Sequence, residues 1–440
     1  MSDIHSLLDI SSNRQAFNKH IKPLLNIELL LALYILLFIF GFTTQDGYLF
    51  YNEYRAIQIV LLLFFSFLTC FCQRNNVTKS ELAFFMLIAI GSLFWESPAF
   101  VITELLLLYL LYKSFSILQY NELISKILVI MSLTMFIQFP LSLWDYIQTG
   151  SYAAIWYPLT WNIRVYDSYF LLVSIFAAWF YVTDQAYRFL YLLFLFLAFL
   201  AILLDGGRSS TIAYTLFIAG VSMGYASARS ALILTYVTSW LVYISITYIA
   251  SLANGTSTLL ITRESSSGRI DLWINALQCW LQHPVMGCGF YQLQQYPTLS
   301  AHPHNIFIQI LSETGLLGFA FLLYIMFVII RCINWSKPKR YFVGTAFLAI
   351  AVDMSFSGVH IYPVTQVVLL WLSVFLLKNP EFSTSHLMLL QSKSLIMSTL
   401  PSLFYIVISL WFIDLLMTTD VFLSKVPFTP PRFWVYGYRL

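Results

Sequence analysis

Residues 299–330 read LSAHPHNIFIQILSETGLLGFAFLLYIMFVII. From Ile306 to Ile330 the run holds one charge, Glu313, and Arg331 closes it. A membrane-spanning helix needs roughly 20 mainly apolar residues, so 305–330 reads as one span. His302 and His304 stand directly before it. Histidine is costly in hydrocarbon and ordinary in a loop, so its place at the boundary needs an account.

Similar runs recur outward in both directions, at 24–43, 56–72, 81–95, 99–112, 124–144, 168–182, 188–204, 211–226, 231–252, 341–358 and 362–378. A further segment, 396–416, is either another span or a helix lying on the surface. Of the 440 residues 60% are hydrophobic and 10% charged, against roughly a quarter charged in soluble domains. A soluble globular enzyme is excluded. The expected fold is an all-α polytopic membrane protein of about twelve transmembrane helices, or thirteen if 396–416 crosses, with one larger external loop carrying short amphipathic helices. That divides the chain into N-terminal helices over 1–252, a loop over 253–304, and C-terminal helices and tail over 305–440. No cleavable signal peptide is expected, because the first apolar run begins near Ile27 and is long enough to remain as an anchor.

The net charge of +3 says less than where the charges fall. With the N-terminus, bearing Arg14, Lys19 and Lys22, in the cytoplasm, strict alternation puts Arg331, Lys337, Lys339 and Arg340 on that same side. The basic residues left outside, before the tail, are Arg55, Arg164, Arg208, Arg263 and Arg269. All are arginines. A lysine would mark topology equally well, but only a guanidinium grips phosphate through two parallel bonds and never loses its charge. Ion pairs with Asp167, Asp205 or Glu264 are the plainer alternative.

The loop 253–304 is the longest outside. Within RESSSGRIDLWINALQCWLQHPVMGCGF, residues 263–290, Ile270, Trp273, Leu277 and Trp280 recur at helical spacing, Ser267 can cap, and Pro284 ends the run. This predicts an amphipathic helix at the membrane surface, with Arg269 at its anion-favouring start. Cys279 and Cys288 share the loop and are either disulfide-bonded or two small unpaired apolar residues. Farther on, Pro303 suits a first helical turn, which would set His304 in the first turn of the next span. The dipole there disfavours imidazolium, and a neutral imidazole can take a proton from a hydroxyl. His302 precedes a proline and is therefore expected to be extended. A metal reading of the His302–His304 pair lacks a third ligand at convincing spacing.

Two smaller signals share that side. In LLDGGRSSTIAY, residues 203–214, Gly206 and Gly207 allow a tight turn, Ser209 or Ser210 can cap, and Arg208 faces outward at a helix start. Asp353 lies in the outward half of a span, where an ionisable group is a functional candidate. It could orient His304 or hold a sugar hydroxyl. Glu313 falls on the face opposite His304 and reads as a structural contact.

Arg208 in GGRSS, GRIDLW followed by HPVMGCGF, and HPHNIFIQILSETGLLG together resemble the O-antigen ligase and polymerase superfamily. The resemblance covers about 200–320 in its motifs. It implies transfer of a glycan from undecaprenyl diphosphate to an acceptor at the periplasmic face of the bacterial inner membrane, by a metal-independent, inverting reaction without a cofactor. It implies Arg208 and Arg269 as diphosphate-binding and His304 as catalytic, with Asp353 as the acidic partner; from their placement on the same side, Arg164, Arg263 and His302 are further substrate-binding candidates. The implied partners are the lipid-linked glycan, the bilayer and an acceptor, with no nucleic acid. Lipid A–core as acceptor would make an O-antigen ligase, the favoured expectation; another lipid-linked glycan would make a polymerase, and a pilin an O-oligosaccharyltransferase. A secondary transporter or lipid-glycan flippase is the reading from another class, but no repeat supports it.

Overall fold

The computed structural model describes residues 33–40, 50–72, 79–95, 98–117, 122–150, 156–159, 161–255, 268–290, 293, 302–336, 338–382 and 399–418. Among them the elements are helices and no strand occurs. They are α1 (33–40), α2 (Phe50–Cys72), α3 (Lys79–Gly91), α4 (Pro98–Ile117), α5 (Glu122–Ser132), α6 (Phe139–Thr149), α7 (Ile163–Thr183), α8 (Arg188–Leu204), α9 (Arg208–Gly224), α10 (Ala226–Asn254), α11 (Arg269–Gln282), α12 (Ile306–Cys332), α13 (Lys339–Met354), α14 (Pro363–Lys378) and α15 (Thr399–Thr418), with a 3-10 turn at Leu133–Phe136 between α5 and α6.

The all-helical, apolar architecture agrees with the sequence. By length and composition four described segments can cross a membrane: Glu122–Thr149, α7, α10 and α12. Ser80–Gly91, α8, α14 and Leu403–Met417 are apolar but shorter. Local chemistry moves several boundaries. The expected span 124–144 is interrupted by the 3-10 turn ahead of Pro140, and 341–358 ends its helix at Met354. The expected 168–182 starts earlier, at Ile163, because the Asn162 side chain accepts the Arg164 N–H at 2.9 Å and caps the helix. Parts of 24–43 and 396–416 lie outside the described residues. The described part of the latter is α15, which packs on α4 through Trp411 Nε1 to Thr103 Oγ1 at 3.0 Å.

α7 is the axis of the bundle. It is apolar nearly all round and buried from Val165 to Tyr181, as expected of a helix surrounded by others. α8 and α14 pack along it, and α9 packs most closely on α13. That last approach depends on small residues: a Cβ at Gly220 would lie 2.0 Å from Thr345 Cγ2. Lys126 with Asp184, at 2.9 Å, and Lys339 with Glu381 pair at the end of the bundle opposite Arg164.

α12 is broken within its first half. Gly315 has φ 67° and ψ −165°, which opens the helix after Thr314. In apolar surroundings the freed carbonyls and N–H groups need partners from the protein. Residues 284–289 supply them by wedging into the break. Cys288 and Gly289 N–H donate to the Ser312 and Glu313 carbonyls at 2.9 and 3.0 Å. The Leu316 and Leu317 N–H groups donate to Pro284 and Val285 carbonyls at 2.9 and 3.2 Å. Backbone meets backbone here: a Cβ on Gly287 would come within 2.5 Å of the 313–315 main chain, and one on Gly315 within 2.3 Å of the Val285 carbonyl. Trp95 Nε1 holds the Met286 carbonyl at 2.6 Å, and Cys279–Cys288 is a disulfide that ties the wedge to α11. Bonding resolves the two readings left open for these cysteines.

Gly315→Ala and Gly287→Ala are each expected to lower stability by about 3 kcal/mol, combining a glycine-only backbone conformation with overpacking. Thermal unfolding in detergent micelles checks this. An unchanged midpoint for both variants would rule out the interlocked backbone.

Candidate functional site

One cavity opens at the Arg164 end of the bundle. Its lining includes Arg164 and Ser168 from the start of α7, Arg208, Ser209 and Ser210 from the start of α9, and Arg269 from the start of α11. His304 and the turn Phe356–Gly358 complete it with Tyr362. The first turns of three helices thus bring their arginines to one place, where the helix dipoles add to the positive potential. The cavity encloses about 60 Å³, far less than the roughly 300–1,000 Å³ of pockets that engulf small molecules. It suits a compact charged group, with the remainder of a larger molecule left outside.

The arginines are held differently. Arg164 Nη1 bonds the Asp167 carboxylate at 3.0 Å and reaches the Asp205 carbonyl at 3.5 Å. Asp167 is buried under the turn before α9, where a Cβ on Gly207 would lie 2.6 Å from its Oδ2. Gly207 is therefore needed for that approach, and Gly206, at φ 68°, makes the turn. Arg269 has no carboxylate within ion-pairing distance among the described residues. Its pKa is lowered by burial first and then by the Arg164 and Arg208 charges. It remains a cation. A site that crowds guanidinium groups in this way favours an anion.

His304 corrects one expectation. It does not lie in the first turn of α12: Asn305 is the N-cap, its Oδ1 accepting from the Phe307 and Ile308 N–H groups at 3.0 and 3.1 Å, and the helix starts at Ile306. Asparagine at the cap outweighs proline at the first turn. His304 sits before the cap at φ 52°, the one non-glycine residue with positive φ among those described. Its pKa is lowered from the ordinary 6.5 to about 4, by burial first and then by Arg269 and Arg164. The imidazole is neutral at pH 7, for these reasons rather than through a place in the helix.

Asp353 lies behind the cavity wall rather than on it. It is fully buried and accepts from Ser168 at 2.7 Å, Ser210 at 2.8 Å and Ser357 at 3.2 Å. These serines come from α7, α9 and the turn after α13, and all three line the cavity. Ser210 therefore serves Asp353 instead of capping α9, whose N-cap is Gly207 without a side-chain bond. His302 is also buried and absent from the lining; its Nδ1 accepts the His304 N–H at 3.3 Å. Arg263 and Ser267 lie outside the described residues. Arg55 is not at the surface: it is buried, with bonds to Gln58 at 2.6 Å, Gln366 at 2.8 Å and the Ile361 carbonyl at 2.8 Å. α11 begins at Arg269 and ends before Pro284, as its spacing predicts. Its Leu272, Ala276 and Cys279 are buried, while Ile270, Ile274 and Leu281 stay exposed. Among the described residues no three His, Cys, Asp or Glu side chains gather as a metal site would require.

Sequence reasoning missed Asp167, Ser168, Phe356 and Tyr362 as parts of this site. Asp353, an ionisable group within a span, was a visible signal, whereas Ser168, at the start of the expected span 168–182, carried none.

The fold and site define a helical membrane protein with a polyarginine cavity at one end of its bundle. Residues 193–323 match the family model described as O-antigen ligase, which supports a place in the O-antigen ligase-like superfamily, a family of glycosyltransferase-like ligases and polymerases. The matched stretch holds Arg208, Arg269, His302 and His304, and leaves Arg164 and Asp353 outside. No curated protein matches the chain significantly.

Between pH 7 and pH 5.5 the His304 ring signal, assigned by its loss in His304→Gln, is expected to stay that of a neutral imidazole in histidine-labelled NMR spectra. Folding lowers this pKa, so the folded chain binds fewer protons than the unfolded one between about 4 and 6.5. Its contribution to stability is therefore full above pH 6.5 and declines as the pH falls toward 4. Titration near 6.5 would show that the ring is not enclosed as described.

Proposed function

We propose that the protein transfers a glycan from undecaprenyl diphosphate to an acceptor hydroxyl at the periplasmic face of the bacterial inner membrane, with lipid A–core as the favoured acceptor. What carries the reading is that Arg164, Arg208, Arg269 and a neutral His304 line a single cavity. The family match over 193–323 supports the glycan-transfer class. In this reading about twelve helices cross the membrane, thirteen with α15, and the loop over 253–304 is periplasmic.

The acceptor oxygen attacks the anomeric carbon while His304 takes its proton. The bond from that carbon to the diphosphate oxygen breaks, and the electron pair leaves with the diphosphate. A single displacement from the opposite face inverts the carbon. Guanidinium groups already fixed around the cavity stabilise the departing charge, and little reorganisation is needed because they are preorganised. Arg164, braced by Asp167, and Arg269 each face the anion from a different helix. The diphosphate needs no further activation, so no nucleotide enters, and the arginines take the charge-stabilising role that a metal fills elsewhere. The small cavity accounts for the phosphates alone; glycan, polyprenyl chain and acceptor lie outside it. Asp353 acts on the site through Ser168, Ser210 and Ser357.

With purified protein and a defined lipid-linked glycan, Arg208→Ala and Arg269→Ala are each expected to lower transfer by about 10²-fold or more, and His304→Ala at least as much. The wild-type rate should hold as pH falls to about 5 and drop to about half near 4. Offering lipid A–core, a second lipid-linked glycan and a pilin in turn separates ligase, polymerase and O-oligosaccharyltransferase. Unchanged transfer in Arg269→Ala and His304→Ala would overturn the reading; if glycan translocation were lost in the same variants, the protein would be a transporter.

A further inference from the structure

His302 is the residue of the HPHN motif that the reaction does not use, and its surroundings are specific. Its ring is 1% exposed and does not line the cavity. One face lies against His304, with ring centroids 4.1 Å apart, and His360 stands beyond at 6.5 Å. An edge rests on Gly358, where a Cβ would come 3.0 Å from His302 Cε1 and 3.6 Å from Nε2. Its Nδ1 accepts the backbone N–H of His304 at 3.3 Å.

That bond falls where the chain is strained. A non-glycine residue at positive φ persists only when neighbours over-determine it. On the far side of His304 the Asn305 cap fixes where α12 begins. Trp273 Nε1 holds the Pro303 carbonyl at 2.8 Å on the near side. Between these two anchors, the His304 N–H is taken by His302. To accept it, Nδ1 must be unprotonated, so a neutral His302 carries its proton on Nε2. A ring so enclosed cannot reach a glycan or phosphate, which sets aside substrate binding by His302.

We infer that His302 is a positioning residue: through Nδ1 it pins the main chain of His304 in its left-handed conformation and so aims the imidazole into the arginine-lined cavity. The inference rests on the reading of His304 as the base. Asparagine can set its Oδ1 close to where Nδ1 stands, whereas alanine offers no acceptor. The pair His302→Asn and His302→Ala therefore isolates the hydrogen bond from the bulk of the ring.

The test reads two quantities in wild type, His302→Asn and His302→Ala: the His304 ring signal in histidine-labelled NMR spectra, and kcat and KM for a defined lipid-linked glycan. In His302→Ala the His304 signal should move and kcat fall on the order of 10²-fold, the scale of a misplaced catalytic group, with KM within about twofold. His302→Asn should keep the wild-type signal and most of kcat. A raised KM with unchanged kcat in His302→Ala, or an undisturbed His304 signal there, would overturn the inference. If His302→Ala does not fold, His302→Asn decides: a wild-type His304 signal supports it and a displaced one overturns it. Should the signal respond as expected while His304→Ala transfers glycan normally, positioning stands and the assignment of the base fails.

Discussion

Two stretches of main chain, around Gly287 and around Gly315, pack with no side chain between them, and much of the cavity's arrangement follows from that contact. Breaking α12 leaves peptide groups that an apolar environment cannot satisfy, so the break is tolerable only while the 284–289 segment fills it. The segment is itself anchored, by the disulfide to α11 and by Trp95 to the α3 end. α11 and the first half of α12 are thereby one unit. They carry Arg269 and the approach to His304, which fixes the distance between a cation and the imidazole it helps to keep neutral.

A second constraint acts from the other side. Asp353 collects hydroxyls from α7, α9 and the turn beyond α13. A buried carboxyl group needs such partners, and those partners draw together the helices that begin with Arg164 and Arg208. Gly207 lets Asp167 close up beneath that turn, leaving Arg164 braced at the rim. Crowded like charges oppose one another, and an anion between them relieves the repulsion. The geometry accordingly favours charge that develops inside the cavity over charge outside it.

The polar and apolar pattern made the helical class legible, because long apolar runs with rare charges have few alternatives. It also placed Arg208, Arg269 and His304 on one side, since alternation of spans assigns a side without needing any packing. Boundaries were less readable. Asn162 and Asn305 override neighbouring signals as caps, and this moved Arg164 onto α7 and took His304 off α12. Arg55 shared the composition of the others, yet Gln58, Gln366 and a carbonyl enclose it; nothing in its local sequence distinguishes it from Arg164. His302 and His304 are alike in residue type, and the structure separates them: His302 is buried off the cavity, whereas His304 lines it at positive φ.

By itself, then, the sequence determined an apolar helical chain and singled out arginines and a histidine that the structure brings to one end of the bundle, because hydropathy and charge placement act locally along the chain. The tertiary structure decided which of those arginines meet, that α12 is interrupted and refilled from a distant loop, and that Asp353 reaches three serines instead of His304. Those outcomes join residues far apart in sequence through steric fit and hydrogen bonding, and no periodicity along the chain encodes such pairings.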